Sequence, residues 1–153
     1  MDKERTLILC KPDALQRNLL GAVISRFERK GLKLVGIKMV GLSDTELDEH
    51  YAHLKDKPFF EGLKKYMKQT PVVAMVLEGE ECIDAVRLIT GATKGAEADA
   101  GTIRGDFAMA TPGNIVHASD SVENAKEEIY RFFNDDELYD YAKIDETFLY
   151  WKD

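Results

Sequence analysis

The chain has 153 residues, 44% of them hydrophobic and 32% charged, which fits one globular unit that buries about 70% of its unfolded surface and excludes a disordered or fibrous polypeptide. Lys and Arg total 21 against 28 Asp and Glu, and the formal net charge of −7 repels nucleic acid and anionic membrane, so any polyanion must meet a local cationic pocket. The run TLILC behind the charged MDKER is too short for a secretion signal, no stretch approaches the ~18 apolar residues of a membrane span, and Cys10 and Cys82 stand outside any CxxC, which predicts buried thiols in a cytosolic protein.

The apolar-rich RTLILCK predicts a first strand over Arg5 to Lys11, after which KPDA turns the chain. Leu19, Leu20, Val23, Ile24 and Phe27 recur at helical spacing, and Gly31 ends that helix. LKLVGIKMV is the next strand. Ser43 with Glu46 forms a capping box that opens a helix through TELDEHYAHL, and KPFFEGLKKYMKQ supplies its hairpin partner. PVVAMVLEG, a continuous apolar run bounded by Pro71 and Gly79, suits a buried central strand. EECIDAVRLIT is a helix that stops at Gly91, and from Ala92 to Asp106 periodicity fails, leaving a long loop of the kind that usually carries function. NIVH is the fourth strand, and Asp120 with Glu123 opens the last strong helix, SVENAKEEIYRFF, ahead of an acidic, aromatic tail. With no internal repeat and no linker, residues 1–153 are expected to form one domain. The element order predicts an α+β sandwich of ferredoxin-like type, a four-stranded antiparallel sheet with helices packed on a face.

Neither GxxxxGK[ST] nor GxGxxG occurs, so neither a P-loop nor a dinucleotide fold is indicated. Ser119 and Ser121 adjoin His117 and Asp120, but a hydrolytic triad is assembled by folding and not by sequence neighbours. His50 and His53 lie three apart on a predicted helix and are read as a solvated face, with no metal assigned to them. His117 differs. It follows the apolar Ile115 and Val116, so a strand holds it, and its ordinary pKa of about 6.5 leaves the ring largely neutral and nucleophilic near neutrality. Lys11, Arg87 and Arg104 end or flank elements able to converge on one edge, and three cations around a neutral histidine suit a phosphoryl group. Taken singly, each has a plainer role: a solvated strand end, a pair with Asp84, a brace for the long loop.

KPDALQR (Lys11–Arg17), HYAHLKDKPFF (His50–Phe60), TPVVAMVLEG (Thr70–Gly79), GTIRGDF (Gly101–Phe107) and NIVHASDS (Asn114–Ser121) resemble, in order and spacing, the signature blocks of nucleoside diphosphate kinases. The similarity runs from Glu4 to Asn134. It implies a γ-phosphate exchange between nucleoside triphosphates and diphosphates by a ping-pong route through a phosphohistidine at His117. It implies too that Glu128 and Ser119 orient the ring, that Lys11, Tyr51, Arg87, Thr93 and Arg104 surround the phosphates, that Lys11 and Asn114 hold the sugar, and that Phe59 stacks on the base. The cofactor implied is Mg²⁺ bridging nucleotide phosphates, with no protein cage, and the assembly implied is a cytoplasmic homo-oligomer, a hexamer in preference to a tetramer.

The chain departs from the family pattern at Ala118, where glycine is usual, and at Gly95 and Ala100, where proline is usual. Ala118 is expected to be tolerated if its φ is negative, while two lost prolines are expected to loosen the long loop and weaken assembly. The alternatives are a catalytically silent nucleotide-binding regulatory module and an RNA-binding module on the same scaffold. A silent relative would have lost His117 or Arg104 first, and an RNA-binding sheet needs exposed strand aromatics and a basic face that this sequence lacks.

Overall fold

The protein is described over residues 2–153 of a computed structural model. The order is β1 (Lys3–Cys10), α1 (Pro12–Gln16), α2 (Leu20–Lys30), β2 (Lys33–Val40), α3 (Asp44–His50), α4 (Phe60–Met67), β3 (Val72–Glu80), α5 (Cys82–Thr90), α6 (Ile103–Phe107), β4 (Val116–Ala118), α7 (Val122–Phe132) and α8 (Glu146–Leu149). The strands form one antiparallel sheet in the order β2-β3-β1-β4, the ferredoxin-like arrangement that the element order predicts.

Alternation along β1 sends Ile8 and Cys10 to one face and Leu7 and Leu9 to the other, and β3 divides in the same way. Val23 and Phe27 of α2 with Cys82 and Val86 of α5 cover the first face. Leu47 of α3, Phe60 and Met67 of α4 and Phe132 of α7 cover the second. Helices therefore pack on both faces instead of the one expected, because β3 is apolar on both sides and neither can be left to water.

This layering aims the site. β4 pairs with β1 so that His117 lies opposite Leu9, and residues opposite in an antiparallel pair point to the same side. His117 thus faces α3, α4 and α7, while Val116 and Ala118 enter the other core. Ala118 is absent from the residues with positive φ, so its extra methyl is accommodated.

Local differences from the expected elements have identifiable causes. KPDA is not a bare turn: Pro12, which has no amide to lose, starts α1. The capping box at Ser43 is present, but α7 is capped by Ser121, which accepts from the Asn124 amide, and not by Asp120. Residues 92–106 are not structureless. Thr102 caps the short α6 by accepting from the Gly105 amide at 2.9 Å, and Asp106 accepts from the Gly101 amide at 2.9 Å. Nor is Gly95 a loosening substitution. It is buried, and a Cβ there would lie 2.6 Å from the carbonyl carbon and oxygen of Ala108, so close packing requires the glycine. Both cysteines are buried and free, as expected. Beyond α7 the tail binds the β2 edge, where the Tyr139 amide donates to the Val35 carbonyl at 2.9 Å and the Tyr141 hydroxyl to Leu34 at 2.5 Å. Among the described residues no helix is long and apolar enough to cross a membrane.

Gly105 allows α6 to close on its own loop, since a Cβ there would lie 1.8 Å from the Asp99 carbonyl oxygen. Gly105→Ala is therefore expected to destabilise the fold by about 1–3 kcal/mol. Urea unfolding at fixed protein concentration measures it, and an unchanged midpoint would refute the packing argument.

Candidate active site

Asn114 and Ile115 are not part of the fourth strand but a kinked entry to it. Ile115 has φ +74°, a left-handed conformation that costs a β-branched residue about 1–3 kcal/mol. Its neighbours hold it there. The Ile115 amide donates to Asp13 Oδ2 at 3.0 Å, and its carbonyl accepts from the Lys11 amide at 2.8 Å. The kink directs Asn114 toward Lys11, whose Nζ donates to Asn114 Oδ1 at 2.7 Å, while Asn114 Nδ2 donates to the Thr93 carbonyl at 2.8 Å.

Helix α7 buries Ala125, Glu128 and Phe132, one apolar stripe interrupted by a carboxylate. Glu128 is satisfied there by two short contacts. The Ser119 hydroxyl donates to Oε1 at 2.6 Å, and Oε2 lies 2.6 Å from His117 Nε2. A carboxylate only accepts, so the proton of the neutral ring is on Nε2 and the Nδ1 lone pair is free. Nδ1 has no hydrogen-bond partner among the described residues.

The cations are held at the same end. Arg104 is 8% exposed and donates from Nε to the Asn114 carbonyl and through its two terminal nitrogens to the carbonyls of Gly91 and Val116. Three of five donors are used, so Arg104 braces the loop and still has N–H groups to offer. Burial and the nearby Arg87 lower its pKa to about 10, which leaves it charged at neutrality. Burial, then Arg104, lowers Lys11 to about 8, opposed by Asp13. Arg87 is exposed, and no ion pair to Asp84 joins it among the described residues. The Tyr51 hydroxyl is buried without a partner, and burial followed by Glu128 raises its pKa, so it remains a proton donor.

The sequence reading missed His50. It is not solvated but 6% exposed, and its ring meets that of His117 edge to face with centroids 4.5 Å apart. Leu47, His50 and Tyr51 share one stripe of α3 and its cap, a spacing that signals burial. His53 is exposed, as read. Asp13 and Arg131 were also overlooked: Asp13 lies next to Pro12, and Arg131 one turn beyond Glu128. His50, His117 and Glu128 place donor atoms within 4.8 Å of one another. Both Glu128 oxygens are already engaged and a guanidinium abuts His50, which disfavours a cation.

These groups line a cleft of about 1140 Å³ between the α3–α4 hairpin and the strand entry. Lys11, Tyr51, Phe59, Arg87, Thr93, Arg104, Asn114, His117 and Glu128 all reach it, and Ser119 lies buried behind Glu128. The residues to which the resemblance assigns roles are thereby brought to one place, whereas Ser121 and Asp84 do not line the cleft. Residues 4–138 match the family described as nucleoside diphosphate kinase. The chain belongs to the nucleoside diphosphate kinase family. It is 50% identical over 150 residues to the nucleoside diphosphate kinase of Pyrococcus abyssi, a match spanning 96% of this chain and 94% of that one. Human nucleoside diphosphate kinase A is 50% identical over 147 residues, 96% and 97% of the two chains. The structure of the Halobacterium salinarum enzyme in complex with CDP superposes with a TM-score of 0.94 at 42% identity, covering 97% of this chain and 99% of that one.

As a nucleoside diphosphate kinase the chain is an enzyme that transfers phosphate between nucleotides, and no observation favours a silent module. If Lys11 meets the nucleotide phosphates, as the resemblance implies, its lowered pKa sets a pH limit on affinity. The lysine is charged below about pH 8, and a bound diphosphate keeps it so, hence affinity for a nucleoside diphosphate is expected to be level between about pH 7, above the phosphate's own pKa of about 6, and about pH 8, and to decline above that. The steepest decline is about tenfold per pH unit, one proton's worth. Calorimetry on the parent and on Lys11→Gln checks this: the variant binds more weakly with a flatter profile, and equal slopes would contradict the assignment.

Proposed function

We propose that His117 Nδ1 carries the phosphoryl group between two nucleotides. The observation that supports this most is the 2.6 Å contact between His117 Nε2 and Glu128, which leaves Nδ1 unprotonated beside Lys11, Arg87 and Arg104. In the first half-reaction the Nδ1 lone pair attacks the γ-phosphorus of a nucleoside triphosphate, an N–P bond forms, and the bond to the β-bridging oxygen breaks with release of the diphosphate. In the second, a terminal oxygen of another diphosphate attacks that phosphorus and the N–P bond breaks. The Nε2 proton stays on the ring throughout, and Glu128 stabilises the positive charge the ring gains on phosphorylation. Ser119 keeps Glu128 in place by donating to its other oxygen.

Because charge in the transition state is spread over the phosphoryl oxygens, positioned cations supply most of the remaining stabilisation. Lys11, Arg87, Arg104, Tyr51 and Thr93 are assigned to the phosphates, Lys11 with Asn114 to the sugar hydroxyls, and Phe59, 54% exposed at the cleft wall, to the base. Stacking tolerates any base, so broad nucleotide specificity is expected. Mg²⁺ belongs to this scheme as part of the nucleotide substrate, screening phosphate charge. The donor set agrees: Glu128 is committed, and Asp120, kept ionised by the Asn124 amide, is a cleft carboxylate close enough to Arg87 and His117 to feel their charge.

We further propose that residues 1–153 act as one domain of a cytoplasmic homo-oligomer, a hexamer in preference to a tetramer. Ile37 and Met39, 46% and 65% exposed on the edge strand β2, support a contact along that edge.

Incubation with γ-labelled ATP and Mg²⁺ is expected to give an acid-labile, alkali-stable phosphoprotein in the parent and none in His117→Ala. The variant should still bind ADP, since the cations remain. Label retained by His117→Ala, or stable to acid, would defeat the proposal.

A further inference from the structure

Beside the proposed nucleophile, on the wall of the same cleft, lie a second imidazole and a guanidinium that the transfer chemistry does not itself require. His50 packs edge-on against His117, with Tyr51 at 4.7 Å and Phe132 at 5.3 Å between ring centroids. Its Nδ1 is 3.0 Å from a terminal nitrogen of Arg131 and 3.8 Å from Glu128 Oε2, and its Nε2 is buried with no partner. Arg131 is steadied in turn by Glu49, whose carboxylate lies 3.7 Å from its Nε.

A guanidinium has only donors, so this contact makes His50 Nδ1 an acceptor and puts the ring proton on Nε2. That tautomer is not the one the surroundings favour. It leaves a buried N–H unpaired, a cost of about 1–3 kcal/mol, whereas a proton on Nδ1 would face Glu128 Oε2. That oxygen already receives the His117 proton at 2.6 Å. A second donor would weaken that contact and draw the carboxylate away from the nucleophile.

We propose that Arg131 is a positioning residue that holds His50 in its Nε2–H form and so reserves the Glu128 carboxylate for His117. The proposal rests on the reading of His117 as nucleophile. The groups facing His50 are His117 on β4, Glu128 and Arg131 on α7, Lys11 after β1, and Glu49, Tyr51 and His53 on its own segment. Burial, followed by the influence of His117, Arg131, His53 and Lys11, keeps the His50 pKa far below the ordinary imidazole range, so the 3.8 Å approach to Glu128 is not an ion pair. Removing Arg131 takes away one of those cations and the hydrogen bond that sets the tautomer.

The chain has three histidines, so the ring nitrogens of the whole ¹⁵N-histidine-labelled protein can be assigned by NMR with His53→Gln and His50→Gln. The parent is expected to show His50 as the Nε2–H tautomer, unchanged across about pH 5.5 to 8.5, a range that brackets the ordinary imidazole pKa. In Arg131→Met, His50 is expected to move its proton to Nδ1 or to begin titrating. Phosphorylation of His117 by a nucleoside triphosphate should then slow about tenfold, the order expected when a group orienting an active-site imidazole is lost. The deficit relative to parent should grow as pH falls, since a protonated His50 competes more strongly for Glu128. Arg131→Lys, which keeps a cationic donor, should restore most of the rate.

A parent His50 protonated on Nδ1 overturns the proposal whatever the variants do, including a variant that fails to fold. So does an Arg131→Met protein with the parental tautomer, rate and pH profile, and so does a changed tautomer with no loss of rate. A failure of the nucleophile assignment is separately visible, because the parent His117 would then remain unphosphorylated.

Discussion

A carboxylate on the apolar stripe of a helix must be hydrogen-bonded there or it drives the helix off its core, and Glu128 meets that condition only because β4 lies where it does. Its two oxygens take the Ser119 hydroxyl and the His117 Nε2 proton. The Ser119 oxygen also accepts from the Leu7 amide at 3.2 Å, which ties the same group to β1. Docking of α7, pairing of β4 with β1 and the tautomer of His117 are therefore one requirement. Removing either donor would leave the buried carboxylate one hydrogen bond short, a loss of about 1.5–3 kcal/mol. Structure and chemistry share this contact, so the atom left free by it, His117 Nδ1, is held on rigid elements and not on a loop.

Several features near that atom are unfavourable for stability alone. Lys11 is charged and 8% exposed, Arg104 is as buried, and Ile115 holds a positive φ. Each fits the proposed polyanion site: the lysine would regain a counter-charge, the unused guanidinium donors would gain acceptors, and the Ile115 kink turns Asn114 toward Lys11. The stabilisation that sustains them comes from a sheet covered on both faces by helices, with β1 buried from Thr6 to Cys10 and β3 almost wholly buried.

Much of this was legible in the sequence, and for physical reasons. A buried central strand announces itself as an unbroken apolar run, as in Val72–Leu77, and a capped helix by its hydroxyl and acid, as at Ser43 and Glu46. His117 was marked by the apolar Ile115 and Val116 before it, and Lys11, Arg87 and Arg104 as cations at the ends of elements, while Tyr51, Phe59, Thr93, Asn114, Ser119 and Glu128 were legible only because their blocks resemble a family. Glu128 does carry a local signal, an acid spaced with Ala125 and Phe132. What escaped was short or long-range. Helix α6 has five residues, too few to show a stripe, and depends on Thr102 closing on Gly105. The kink at Ile115 is imposed by Asp13, distant in sequence. His50 looked like half of a solvated His-His pair because Asp48 and Glu49 precede it, when its spacing from Leu47 placed it inside. Gly95 looked like a lost proline, and only the proximity of Ala108 reveals why a larger residue does not fit.

The central claim is that Glu128 fixes the proton on Nε2 and thereby directs the phosphoryl group to Nδ1. The most direct measurement is ³¹P–¹⁵N NMR on ¹⁵N-histidine-labelled protein charged with a nucleoside triphosphate and Mg²⁺ at alkaline pH. Phosphorus coupled to His117 Nδ1, with Nε2 still protonated, is the predicted result; phosphorus on Nε2 would contradict the account.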